Sequence, residues 1–246
     1  MPIAALDRYW RLSRTPRYSV LFAFPLLVLY ETLAALLPRT ATRGVRNGAD
    51  VLLKSAFASA FGPSGPIVFG VVLLAACVYI VRRDMRSSGG QLQGAIFAGM
   101  LGESILLAMA FGVIVGVITA RLLGAFGALA IAPVERLSWA TRIMVSLGAG
   151  LYEELLFRVL LVGVLGALAT RVFGWRPRVS VAFSVITAAL IFSAFHYIGP
   201  YGDTLHLQSF VFRWIAGLGF SLLYVWRGFG IDAWTHALYD ILLLAT

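Results

Sequence analysis

Two adjacent glutamates, Glu153 and Glu154, stand in a segment otherwise built largely of Leu, Phe, Val and Gly, and Arg158 follows them. A carboxylate at the centre of a membrane helix costs about 2.5–3.5 kcal/mol on insertion scales, so such groups are kept where they have a partner or a function. Glu154 and Arg158 are four residues apart and share a helix face, whereas Glu153 is rotated by about 100°. We therefore expect one carboxylate to be paired and the other to be free to handle protons.

Two of the three histidines also lie in or at the ends of apolar segments. His196 follows Phe192 by one helical turn, and Asp240 follows His236 by the same spacing. Imidazole and carboxyl groups suit general acid–base catalysis on a water molecule. The same residue types also suit a zinc ion whose bound water is the nucleophile, although the sequence lacks H-E-x-x-H.

Three short motifs occur in order on successive apolar segments: Glu153-Glu154-x-x-x-Arg158, Phe192-x-x-x-His196 and His236-x-x-x-Asp240. They resemble the motifs of the CPBP family, the CAAX-protease and bacteriocin-processing proteins, also called Abi proteins, which include the type II CAAX prenyl endopeptidases. The resemblance covers roughly 139–246 and implies an intramembrane endopeptidase of the glutamic type without a metal or other cofactor. The preceding residues carry only a generic membrane signal.

The resemblance also implies a role for each motif. The catalytic residues that it implies are Glu153, His196, His236 and Asp240, and the supporting residues are Glu154, Arg158 and Phe192. Glu153 would activate water with His196 as its partner, and His236 with Asp240 would stabilise the oxyanion. The third motif of the family usually ends in Asn, whereas this chain has Asp240, and an ionised carboxylate cannot donate the hydrogen bond that an amide gives.

The composition excludes a soluble globule. Hydrophobic residues make up 60% of the 246 residues, charged residues 13%, and the mean hydropathy is +0.89. The net charge of +9 does not indicate a nucleic-acid partner, because the basic residues fall in short clusters between apolar runs. The single cysteine, Cys77, excludes an intrachain disulfide and a Cys-based metal site.

Apolar runs of about 20 residues predict an all-α, polytopic membrane helix bundle of about seven spans. The predicted spans are 18–37, 66–81, 95–122, 139–168, 178–196, 208–226 and 231–246. The shorter stretch 49–61 precedes a Gly-Pro-rich break at 62–66 and is expected to be an interfacial or re-entrant helix. We expect one integral membrane domain, 1–246, with its catalytic core at 139–246.

The distribution of arginine favours a cytoplasmic N-terminus, because the predicted connections on that side carry more Lys and Arg than those on the other side. No cleavable signal peptide is expected, since the first apolar run continues past Tyr30 without a small-residue cleavage site. The short connections favour the inner membrane of a prokaryote.

Straight spans pose a geometric problem for a single site. They place Glu153 near mid-depth, His196 near the outer boundary and His236 toward the inner boundary. Convergence requires helices that are offset in depth, or a last helix that begins deeper at 228–230.

The expected substrate is a membrane-anchored or lipidated protein or peptide in the lipid bilayer. The sequence does not choose among cleavage after a prenylated cysteine, peptide processing and removal of a C-terminal membrane tail. Two non-enzymatic alternatives are a transporter or proton relay, for which we find no repeated or inverted halves, and a membrane scaffold.

Overall fold

A computed structural model of the protein describes residues 2–38, 45–89, 91–123, 137–199 and 202–244. Within these ranges the chain is helical and has no strand. The helices are α1 (Pro2–Ser13), α2 (Pro16–Leu36), α3 (Gly48–Phe61), α4 (Gly65–Ser88), α5 (Gly94–Leu123), α6 (139–171), α7 (Pro177–Phe195), α8 (Leu207–Arg227) and α9 (Phe229–Leu243). These helices confirm the all-α prediction. The last predicted span ends at residue 246, which lies outside the described residues.

The bundle has the outward-facing apolar surface of an integral membrane protein. The described segments that are long and apolar enough to cross a bilayer are Pro16–Leu36, Gly48–Ser87, Gly94–Leu123, Pro177–Phe195 and Leu207–Arg227. Large apolar side chains such as Val71, Leu106 and Val113 are exposed on them, as lipid contact permits. The other two predicted spans correspond to α6 and α9, which do not belong to these five segments. The predicted count of about seven spans is therefore approximate.

The segment Gly48–Ser87 folds back on itself instead of crossing as one rod. A 3₁₀ turn at Gly62–Ser64 separates α3 from α4, at the break that the sequence predicts. The ring centroids of Phe57 and Phe69 lie 5.3 Å apart, so α3 packs against α4. A side chain at Gly65 would collide with the backbone of Ala58, which explains the glycine at this tight turn.

Helix α6 changes its hydrogen bonding at the motif glutamates. It is α-helical over Trp139–Gly148 and Gly163–Arg171, and π-helical over Ala149–Glu153 and Leu155–Val162. Wider π turns alter the direction in which side chains leave a helix and occur often at functional sites. The predicted span therefore exists, but its middle is not a regular α-helix.

Close packing of α9 removes the depth problem. The backbone N–H of Gly230 donates to Ser19 Oγ at 2.7 Å, and Trp234 Nε1 donates to Phe22 O at 2.6 Å, so α9 runs beside α2 in the same direction. A Cβ atom at Gly150 would collide with Ala233 O and Ala237 Cβ. This crossing brings α9 against the π segment of α6 and places His236 Nδ1 2.6 Å from Glu154 Oε1, so the first and third motifs meet.

Candidate active site

The buried centre of the site is an ion pair on α6. Arg158 Nε lies 3.0 Å from Glu154 Oε2, and both side chains are fully buried. The Arg158 guanidinium also lies 4.4 Å from the centroid of the Phe192 ring, which makes a cation–π contact. The sequence spacing predicts this pair, and Phe192 belongs to its packing.

His236 lies between two carboxyl groups. Its Nδ1 lies 2.6 Å from Glu154 Oε1, and its Nε2 lies 3.7 Å from Asp240 Oδ2. The first contact is a hydrogen bond in which Nδ1 donates, whereas the second is too long for one. Phe220 stacks on the imidazole at a centroid distance of 4.2 Å, which fixes the ring plane. In this second contact Asp240 is more exposed than His236: 29% of the Asp240 side chain is exposed, against 5% of the His236 side chain.

Glu153 faces a different environment from its neighbour. Asn47 Nδ2 donates to Glu153 Oε1 at 2.7 Å, and both residues are buried. Glu153 also interacts electrostatically with His196, His236 and Asp240. The two adjacent glutamates are thus divided between a buried ion pair and a region that contains both imidazoles.

His196 caps the C-terminal end of α7, and its tautomer follows from one contact. Its Nδ1 lies 2.9 Å from Phe192 O, and a carbonyl oxygen only accepts, so Nδ1 carries a proton. This leaves Nε2 as the ring nitrogen available to a substrate or water. The Phe192 ring meets the His196 ring edge-on at 4.9 Å and the His236 ring at 6.3 Å. Phe192 is the common wall of the two histidines.

A second polar cluster holds Asn47 in place. Tyr30 OH donates to Asp50 Oδ2 at 2.8 Å and accepts from the backbone N–H of Asn47 at 3.3 Å. Lys54 Nζ joins Asp50 Oδ1 at 2.6 Å to Glu31 Oε1 at 2.7 Å. Glu31 is therefore bound by Lys54 and also by Tyr152 OH at 2.5 Å.

A groove lies next to this second cluster. Its volume is about 630 Å³, and its lining includes Glu31, Lys54 and Tyr152 together with apolar side chains of α2 and α4. None of the four residues implied as catalytic lines it. The groove is therefore lined by Tyr152, which precedes Glu153 in the sequence, and not by the residues implied as catalytic.

Two residues at the site were missed by sequence reasoning. Asn47 lies 106 positions before its partner Glu153 and belongs to no motif, so the only local signal is its capping position before α3. Asp232 is fully buried and interacts with Glu154. It precedes His236 by one helical turn, and the repeated spacing Asp232, His236, Asp240 could have indicated it.

The zinc alternative has little support in the described donor set. Within the ranges that the structure describes, no group of three His, Cys, Asp or Glu side chains is placed to hold a metal ion. His236 directs Nδ1 to Glu154, and His196 directs Nδ1 to a backbone carbonyl, so each histidine offers only Nε2.

Comparison with known proteins locates the relationship in the C-terminal part of the chain. Residues 135–242 match the family model described as Type II CAAX prenyl endopeptidase Rce1-like. The matched range contains all three motifs, and the match confirms the resemblance that they indicate. No curated protein and no solved structure gave a match.

Proposed function

We propose that this integral membrane protein is an intramembrane endopeptidase that uses water activated by Glu153, since residues 135–242 belong to the type II CAAX prenyl endopeptidase family, a family of proteases. The observation that carries the proposal is the division between the glutamates. Glu154 is bound by Arg158 and His236, whereas Glu153 is bound by the neutral amide of Asn47 and interacts electrostatically with His196 and Asp240.

The first step is attack on the scissile carbonyl. Glu153 takes a proton from a water molecule that lies between its carboxylate and His196 Nε2, and the water oxygen bonds to the carbonyl carbon. The carbonyl oxygen then carries the negative charge. The imidazolium form of His236 stabilises this charge through its Nε2–H, while Nδ1–H donates to Glu154 on the far side and Phe220 stacks on the ring.

The second step is collapse of the tetrahedral intermediate. The C–N bond breaks, and the proton held by Glu153 passes to the departing amine. Glu154 and Arg158 do not exchange protons in this scheme, since they form the buried scaffold that holds His236.

The substrate class follows from the membrane setting and from the family. The family name specifies prenyl endopeptidases, and we propose that this chain also cuts a membrane-associated or lipidated protein or peptide. A partner embedded in the bilayer can reach a site between α6, α7 and α9 by lateral diffusion.

Comparative proteomics of membrane and secreted fractions tests the proposal. Cells with the wild-type protein and cells with Glu153→Gln should differ in a small set of membrane-associated proteins, each shortened only when the wild-type protein is present. Purified wild-type protein in liposomes should then cut a synthetic peptide that spans the shortened end. Identical fractions together with no cleavage of the family's prenylated C-terminal peptides would refute the endopeptidase assignment.

A further inference from the structure

We propose that Asn47 is a positioning residue that fixes the Glu153 carboxylate for proton transfer. The inference rests on the proposed function and deepens it, because it brings a residue from outside the matched range into the site. Asn47 is 3% exposed and Glu153 8%, so the hydrogen bond between them at 2.7 Å is shielded from bulk water.

The capping position of Asn47 determines which half of its amide faces Glu153. Asn47 Oδ1 accepts from the backbone N–H groups of Ala49 at 2.9 Å and Asp50 at 3.3 Å, as the N-cap residue of α3. The amide oxygen is therefore committed to the helix, and the NH₂ group must point the other way. The N-cap makes Asn47 a hydrogen-bond donor of fixed direction toward Glu153.

The surroundings of Asn47 also restrict its position. A side chain at Gly148 would come within 2.8 Å of Asn47 Cβ, so α6 approaches Asn47 as closely as only glycine allows. Tyr30 OH accepts from the Asn47 backbone N–H and donates to Asp50, which joins the cap to the second polar cluster. The donor and the glutamate are thus held by two helices in direct contact.

This arrangement has a catalytic consequence. One carboxylate oxygen of Glu153 is bound by Asn47, so the carboxylate cannot rotate freely, and its other oxygen is left to accept the proton of the attacking water. Small displacements of a catalytic group lower the rate strongly, because proton transfer requires close and aligned donor and acceptor atoms. Asn47 acts through Glu153 and does not itself touch the substrate in this account.

Two substitutions separate the capping role from the positioning role. Ser and Asp are both good N-cap residues, so Asn47→Ser and Asn47→Asp retain the start of α3. Serine is too short to reach Glu153 from the same cap. Aspartate has the size of asparagine but offers no N–H donor and places a second carboxylate against Glu153. Ser138→Asn is a matched control, since Ser138 caps α6 through Thr141 and not through Glu153.

The expected result is a loss of kcat with little change in binding. We expect kcat to fall about 10- to 100-fold in Asn47→Ser and Asn47→Asp, with KM within about threefold. Asn47→Ser should keep wild-type thermal unfolding in detergent, whereas Asn47→Asp should unfold at a lower temperature because it buries a second carboxylate against Glu153. In Asn47→Asp the acid limb of the pH–rate profile should also move to higher pH, because two like charges disfavour the ionised pair. Ser138→Asn should retain wild-type kcat.

Wild-type kcat in both Asn47 variants, or a loss of kcat that only follows a loss of folded protein, would overturn the inference. A measurement without turnover keeps the two proposals distinguishable. The side-chain amide resonance of Asn47 in ¹⁵N-labelled protein, assigned by its absence from Asn47→Ser, should shift in Glu153→Gln. No shift would overturn the contact even if the protein is a protease, whereas a shift in a protein without any peptidase activity would retain the contact and refute the proposed function.

Discussion

The side chains of Glu153 and Glu154 differ in their partners more than in their burial. Glu154 joins Arg158 at 3.0 Å to His236 at 2.6 Å, so its charge is compensated on both oxygens. The one hydrogen bond described for Glu153 comes from the neutral amide of Asn47. A carboxylate with a neutral donor keeps more of its ability to accept a proton than one that faces a guanidinium.

Substitution of each glutamate by glutamine should therefore have a different effect. Glu153→Gln should abolish cleavage and leave folded yield unchanged, as should His196→Ala, because each removes a proton-handling group. Glu154→Gln should lower folded yield, since it leaves Arg158 buried without its counter-charge, a change that typically costs about 3–5 kcal/mol. Cleavage assays and thermal unfolding of the purified variants measure both effects. A Glu153→Gln variant that cleaves at the wild-type rate would remove the general base from the scheme.

Asp240 distinguishes the metal-free mechanism from the zinc mechanism. In the metal-free scheme this position serves the oxyanion, so Asp240→Asn should retain substantial activity, and chelators should not affect the wild-type protein. If Asp240 is a zinc ligand, Asp240→Asn should lower the affinity of the protein for zinc. Loss of activity in Asp240→Asn, together with chelator inactivation reversed by zinc, would establish the zinc mechanism and leave the protease assignment standing.

At the scale of elements, the crossing of α6 and α9 determines whether the motifs meet. Gly150 lies against Ala233 and Ala237, one turn before Glu154 and at the level of His236. The π-helical hydrogen bonding of α6 begins beside this crossing, at Ala149. The motifs on α6 and α9 meet because the two backbones can approach closely at Gly150.

Gly150→Ala tests this crossing. The added methyl group would collide with Ala233 O and Ala237 Cβ, so α9 must move away from α6 and His236 away from Glu154. We expect a lower unfolding temperature and a loss of cleavage. Gly163→Ala is the matched control on the same helix, because open space surrounds that position and alanine favours a helix by about 1 kcal/mol over glycine. Equal behaviour of the two variants would mean that the crossing tolerates a wider separation.

The elements themselves were largely predictable from the sequence, whereas their junctions were not. Apolar runs and Gly-Pro breaks gave the bounds of α2, α4, α5, α7 and α8 to within a few residues, apart from the longer C-terminal end of α4, because those signals are local. The π hydrogen bonding of α6 has no local signal, since it depends on what packs against the helix. Asn47 and Glu153 are 106 positions apart in the sequence. No local sequence pattern predicts a contact between residues that are so far apart.

Across the whole molecule, two polar clusters join the N-terminal half to the matched range. One contains Asn47 and Tyr30 and reaches Glu153. The other surrounds Arg227, which is fully buried and binds Glu103 through Nε at 2.6 Å and Nη2 at 2.7 Å. Glu103 thus joins α5 to α8. Both clusters therefore join helices of the unmatched N-terminal part of the chain to helices of the matched range.

Arg227 provides a test of this anchoring role that is separate from catalysis. Its Nη2 also donates to Ser13 Oγ at 2.8 Å, and its guanidinium lies 4.1 Å from the centroid of the Trp10 ring, so one side chain joins α1, α5 and α8. Arg227→Met should lower the unfolding temperature markedly, because Glu103 is left without its counter-charge and Ser13 loses its donor.

The double variant Arg227→Met with Glu103→Gln should recover part of that loss, since it removes the unpaired charge. Thermal unfolding in detergent measures both, and kcat of the folded fraction should stay at the wild-type value because neither residue belongs to the site. Additive destabilisation in the double variant would show that Arg227 and Glu103 act separately, and a fall in kcat at full folding would show that the anchor also sets the geometry around Glu153.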